Sequence, residues 1–202
     1  MTIGNPDMQH TTQFKAIGTD GSCKKLHIAF IGFMGAGKST IARRIAEHYG
    51  LNLVDTDSAI EQEEGMSVTE IFKQKGEGYF RQRETEMLTH ALESSTPSVV
   101  ACGGGAVTMP ENRRLLERYA CVVYLTIQLE QALARFDDYA SRPLLAQAGS
   151  TDAIFALMEA RLGLMETCGD IYVTTDRRTP EQVEAVVVER VKEAGYEFLR
   201  EN

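Results

Sequence analysis

Gly32-Phe33-Met34-Gly35-Ala36-Gly37-Lys38-Ser39-Thr40 decides how the rest of the chain is read. It fits G-x-x-x-x-G-K-[ST] in full, the spacing of a loop that wraps phosphates. An apolar run, Leu26 to Ile31, precedes it and reads as a buried strand. After it, Ile41, Ile45, Ala46 and Tyr49 fall at helical spacing, and Gly50 reads as the stop. Strand, glycine turn and helix are the context that this motif requires. The glycines let backbone N–H groups face inward, and the helix N-terminus adds its own donors, so the loop cradles an anion. Gly35, Ala36, Gly37, Lys38, Ser39 and Thr40 are therefore the expected phosphate contacts. Lys38 can reach the outer phosphates, and the Ser39 hydroxyl can sit on a magnesium ion.

Outward from the loop, further short apolar runs read as strands at Leu51 to Val54, Ser98 to Cys102, Cys121 to Ile127 and Ile171 to Val173. Helical stretches fall between them. Ser67 with Glu70, and Thr179 with Gln182, form capping boxes; Pro110 and Pro180 open helices. Gly76 and Gly78 break the helix that Ser67 starts, and helical spacing resumes over Phe80 to Leu92. Strands alternate with helices and show no in/out alternation. That pattern predicts an α/β fold of three layers, α-β-α, on a five-stranded parallel sheet covered on both faces. In such sheets ligands bind beyond the carboxyl ends of the strands. Glycine turns or acidic groups follow three of the strands at that edge.

The chain has 202 residues, enough for one domain with a core of its own. A net charge of −8, with no lysine/arginine stripe, argues against nucleic acid as a partner. No apolar stretch is long enough to span a bilayer. Cys23, Cys102, Cys121 and Cys168 show neither C-x-x-C pairing nor zinc spacing and read as reduced thiols, which suits the cytoplasm. Residues 1–24 read as a polar, flexible leader, 25–202 as a single domain, and about 136–150 as a mobile lid.

Asp55 and Asp57 follow the second strand. In an extended segment, residues two apart point the same way, so both carboxylates can face the phosphates. Asp55 can hold magnesium or its water, and Asp57 can take a proton from an attacking hydroxyl; otherwise Asp57 caps the next helix. Arg81 is either a carboxylate clamp or part of a solvated face, whereas Arg83 with Glu86 reads as solvated. Gly103-Gly104-Gly105 requires close packing or a ligand on bare amides. Arg142-Pro143-Leu144-Leu145 can seat a flap that brings Arg142 onto the phosphates. Arg135 is a flap hinge, a nucleotide contact or a surface charge, and Arg178 is a nucleotide contact or a solvated charge.

The order of these motifs resembles the shikimate kinase family. The resemblance runs from the phosphate loop through Asp55-Thr56-Asp57, Phe80-Arg81, Gly103-Gly104-Gly105-Ala106-Val107 and Arg142-Pro143-Leu144-Leu145 to Arg161. It implies a P-loop fold like that of nucleoside monophosphate kinases, with a lid, and a monomer. It implies ATP with Mg2+, and phosphorylation of the shikimate 3-hydroxyl. By position, Lys38 and Arg142 steady the transferring group, and Ser39 holds magnesium with Asp55 behind it. Asp57 binds the acceptor hydroxyls. Arg81 and Arg161 clamp the carboxylate, and Gly103, Gly104 and Gly105 line its other side. Arg135, Arg178 and Pro180 fall near adenine. Two stretches depart from the family pattern: Leu162-Gly163-Leu164-Met165 after Arg161, and the bulky, acidic Phe136-Asp137-Asp138-Tyr139-Ala140.

Overall fold

The computed structural model describes residues 13–16, 25–135 and 150–199, with only the backbone given for 13–16 and 197–199. The strands are β1 (Gln13–Ala16), β2 (His27–Ile31), β3 (Asn52–Asp55), β4 (Ser98–Ala101), β5 (Ala120–Thr126), β6 (Ile171–Thr174) and β7 (Tyr196–Leu199). The helices are α1 (Lys38–Tyr49), α2 (Thr56–Glu64), α3 (Val68–Leu92), α4 (Pro110–Tyr119), α5 (Leu129–Ala134), α6 (Thr151–Cys168) and α7 (Pro180–Glu193). A 3-10 turn, Ala106–Thr108, follows the three glycines.

Five strands form one parallel sheet in the order β3-β4-β2-β5-β6. Ile28 and Phe30 of β2 face one layer, packed with Ile41 and Ile45 of α1 and Val183 and Val187 of α7. Ala29 and Ile31 face the other, with Leu88 of α3, Leu116 of α4 and Met165 of α6. Burial on both sides is why these strands read as unbroken apolar runs. Strand β6 differs: its residues alternate buried and exposed, as expected of an edge strand covered on one side. Strand β2 lies between β4 and β5, so the loop at its carboxyl end opens where the connections diverge.

A smaller core of Ile60, Ile71 and Phe80 joins α2 to α3. Helix α3 breaks at Gly76 (φ 85°, ψ 164°), as the sequence suggests. Gly78 does not break it; the second segment begins before that residue. Both expected capping boxes form, at Ser67–Glu70 and Thr179–Gln182. Within the leader, 13–16 pairs antiparallel with Tyr196–Leu199, which departs from the expectation of a flexible segment there. A pairing between chain ends has no local sequence signal. Lid residues 136–149, and Arg142 with them, lie outside the described residues.

Candidate active site

The glycine loop closes at the tip of β2. A Cβ at Gly32 (φ 148°) would fall 2.5 Å from the Leu125 carbonyl oxygen, so only glycine fits. Gly37 (φ 89°) is the N-cap of α1 and offers no side-chain cap. The first N–H groups of that helix are thus left for an anion. Lys38 folds back over the loop, and its Nζ donates to the carbonyls of Gly32 (2.9 Å) and Phe33 (3.1 Å). Arg135 donates to the Gly35 carbonyl (2.9 Å) and to Thr175, tying the loop to the segment after β6. These groups border a cleft of about 430 Å³ that also takes in Ser39, Asp55, Asp57, Gly104, Arg178 and Pro180.

The two aspartates converge for a different reason from the expected one. Strand β3 ends at Asp55, which itself caps α2 by accepting from Ser58 N (3.2 Å). Asp57 lies in the first turn of that helix. The strand-to-helix corner, not an extended alternation, turns both toward the cleft.

Arg81 and Arg161 are both buried, at 7% and 5% exposure. Arg161 Nη1 donates to the Gly104 carbonyl at 3.2 Å. Its helix runs on through Gly163 to Cys168, so the departure from the family pattern after Arg161 does not end α6. Arg81 donates to Glu84 through Nη1 (2.7 Å) and to Glu77 through Nε (3.2 Å) and Nη2 (3.0 Å). A Cβ at Gly105 would meet Arg81 Nη2 at 2.2 Å; one at Gly103 would meet Glu84 Oε1 at 2.2 Å and Asp57 Oδ1 at 2.6 Å. The glycines are therefore what lets charged side chains close on the turn. Burial lowers the pKa of Arg161, and the neighbouring Arg81 lowers it further. Burial opposes the charge on Arg81 as well, but Glu84 and Glu77 carry its pKa above the usual arginine value.

Of the expected residues, Gly35 to Thr40, Asp55, Asp57, Gly104, Arg135, Arg178 and Pro180 border the cleft, Arg161 reaches it through the Gly104 carbonyl, Arg81 lies against Gly105, and Arg142 falls outside the described residues. A family model described as shikimate kinase matches residues 34–192. The chain belongs to the shikimate kinase family. Among relatives, the shikimate kinase of Dehalococcoides mccartyi (strain BAV1) is 40% identical over 159 residues, covering 79% of this chain and 89% of that protein. The Acinetobacter baumannii shikimate kinase, solved with shikimate, superposes with a TM-score of 0.78 at 31% identity and covers 83% of this chain and 93% of its own. The Aquifex aeolicus shikimate kinase gives a TM-score of 0.72 at 31% identity, covering 82% and 96%.

Three residues of this shikimate kinase family site escaped the sequence. Glu84 is fully buried, and its Oε1 has no partner among the described residues. Burial pushes its carboxyl up to about 7, against the pull of Arg81; Asp57 adds to the rise and Arg161 opposes it. Glu77 holds two of the Arg81 nitrogens. Thr56, also buried, accepts from Gly103 N (2.9 Å) and donates to the Ala101 carbonyl (3.3 Å), locking the aspartate corner to the glycine turn. The signals available were the helical spacings of Arg81 to Glu84, three residues on, and to Glu77, four residues back. Arg83 pairs with Glu86 on a part-exposed face, as expected from the sequence, and also with Glu63 and Glu64, clasping α2 to α3.

Proposed function

We propose that this protein transfers the γ-phosphoryl group of ATP to the 3-hydroxyl of shikimate, giving shikimate 3-phosphate and ADP. The observation that carries the reading is the glycine turn. Gly104 borders the same cleft as Lys38, and its carbonyl holds Arg161. A phosphate cradle and a carboxylate clamp thus share one wall.

In this reading the triphosphate lies on the N–H groups of the loop, with Lys38 exchanging its carbonyl partners for phosphate oxygens. Arg178, Pro180 and Arg135 border the base and ribose side. Arg81 and Arg161 take the acceptor carboxylate, and Gly103, Gly104 and Gly105 back the ring. Asp57 hydrogen-bonds the 3-hydroxyl and receives its proton as the new O–P bond forms. The bond from the γ-phosphorus to the bridging oxygen breaks, and the charge leaves on ADP. Lys38 and Arg142 stabilise the spread charge, so catalysis is positioning and electrostatics. The Ser39 hydroxyl and the Asp55 carboxylate are oxygen donors at the phosphate end of the cleft, which suits Mg2+; that ion takes few protein ligands and completes its shell with phosphates and water. When bound, it neutralises phosphate charge.

We take the protein to act as a monomer in the cytoplasm, where the thiols of Cys102, Cys121 and Cys168, free in this structure, stay reduced. The deciding assay follows ADP release with ATP, Mg2+ and either shikimate or gluconate. Release dependent on shikimate is the expected result. Release with gluconate alone makes the protein a different hydroxy-acid kinase, and ATP binding without acceptor-dependent release makes it a non-catalytic nucleotide binder.

A further inference from the structure

The turn Gly103–Thr108 borders the cleft at Gly104, and much of its support comes from α4. Its carbonyls are held one by one. Gly103 O accepts from Ala106 N (3.1 Å), Gly104 O from Arg161, and Gly105 O from Thr108 N (2.9 Å) and Thr108 Oγ1 (2.7 Å). Ala106 O accepts from Asn112 Nδ2 at 3.0 Å and from Met109 N at 3.3 Å. Val107 O and Thr108 O accept from Arg113 Nη1 at 2.6 and 3.3 Å. Asn112 and Arg113 are neighbours in the first turn of α4, where Pro110 leads and no side chain caps the helix.

Asn112 is fully buried, and its Oδ1 finds no donor among the described residues. A buried amide that makes one hydrogen bond and leaves its other half unpaired adds little stability. An apolar residue of the same size fills the space at lower cost. What it cannot do is supply the shorter of the two bonds that hold the Ala106 carbonyl. Three successive glycines have no side chains with which to fix themselves, so their position depends on such tethers. That position has little tolerance: the space a methyl group would need at Gly105 or Gly103 is already taken by Arg81, Glu84 and Asp57.

From this we infer that Asn112 is a positioning residue for the acceptor. Its amide, with Arg113 beside it, holds the glycine turn where Arg81, Arg161 and Asp57 can grip one small hydroxy acid together. It touches neither substrate and acts through the Ala106 carbonyl. The inference rests on the kinase reading.

The test uses the full chain. Wild-type protein is assayed first with ATP and shikimate; if no acceptor-dependent ADP appears, the kinase reading falls and this inference with it. If turnover is present, Asn112→Leu is expected to melt at or above the wild-type temperature. Its KM for shikimate should rise about five- to twentyfold, while its KM for ATP stays within about twofold. Asn112→Asp has the same shape but no N–H donor and should show the same split. Should neither fold, Arg113→Met removes the neighbouring tethers and should raise the shikimate KM selectively. A folded Asn112→Leu protein with an unchanged shikimate KM overturns the inference, as does an equal rise in both KM values.

Discussion

In the proposed reading, the nucleotide half and the acceptor half of the site are built from different materials. The nucleotide half is mostly backbone: glycines at positive φ, a helix start without a side-chain cap, and one lysine lying on two carbonyls. The acceptor half is mostly side chains: Arg81, Glu84 and Arg161, all nearly inaccessible to water, closed onto glycines that have none. A backbone cradle suits a ligand whose phosphates are the same in every nucleotide. A buried charge network suits one particular small acid, because each unpaired member is costly and only the right partner completes it. The first half should therefore tolerate side-chain changes around it, and the second should not.

The sharpest way to break this contrast is at its one exception, the side chain that the backbone half cannot do without. Lys38→Met should lower kcat by about 10²–10³-fold or more, with the melting temperature nearly unchanged, since the lysine's bonds to Gly32 and Phe33 lie within the loop itself. Wild-type kcat in that variant, measured by coupled ADP assay, would remove Lys38 from the mechanism. On the other side, Arg81→Ala strips Glu84 and Glu77 of their partner. The KM for shikimate should rise about 10²-fold while that for ATP moves little, and the fold should lose about 3 kcal/mol, because a buried carboxylate is left unpaired. Titration with urea and steady-state kinetics read both. Equal changes in the two KM values would mean that the halves are not separate.

The smallest effect concerns pH. Glu84 titrates near 7 in the fold, above the ordinary 4.5. The folded state then binds the proton more tightly than the unfolded chain does. Its contribution is stabilising at low pH and is lost as pH rises from about 4.5 through about 7. The full span is about 3 kcal/mol at most. Urea unfolding at pH 5 and pH 8 should show this loss in the wild type and a flatter profile in Glu84→Gln. Parallel profiles would place the ionisation elsewhere.

The same contrast governs what could be read from the chain. The loop, both capping boxes and the break at Gly76 are local, and each was legible because its cause lies within a few residues. Asp55 and Asp57 were legible as a pair, but the corner that aims them was not. Thr56 was invisible because its donor, Gly103 N, lies 47 positions away. Arg83 looked like an ordinary exposed residue because Glu63 and Glu64 belong to another helix. Glu84 sat in plain view, three residues after Arg81, yet nothing local says that it is sealed from water. Helical spacing reveals which face an arginine shares, not which wall that face meets.

Gly32 has a consequence for the sheet. Its bare Cα rests on the Leu125 carbonyl with no room for a methyl group, and that contact exists only when β2 and β5 are correctly aligned. A one-residue slip between these strands would exchange the side chains that face the two buried layers and would also spoil the mouth of the loop. The cradle is therefore a gauge of strand alignment: a chain that has paired its central strands out of step cannot hold a triphosphate. Tight nucleotide binding is in this sense a certificate of correct folding, written at the central strand of the five-stranded sheet.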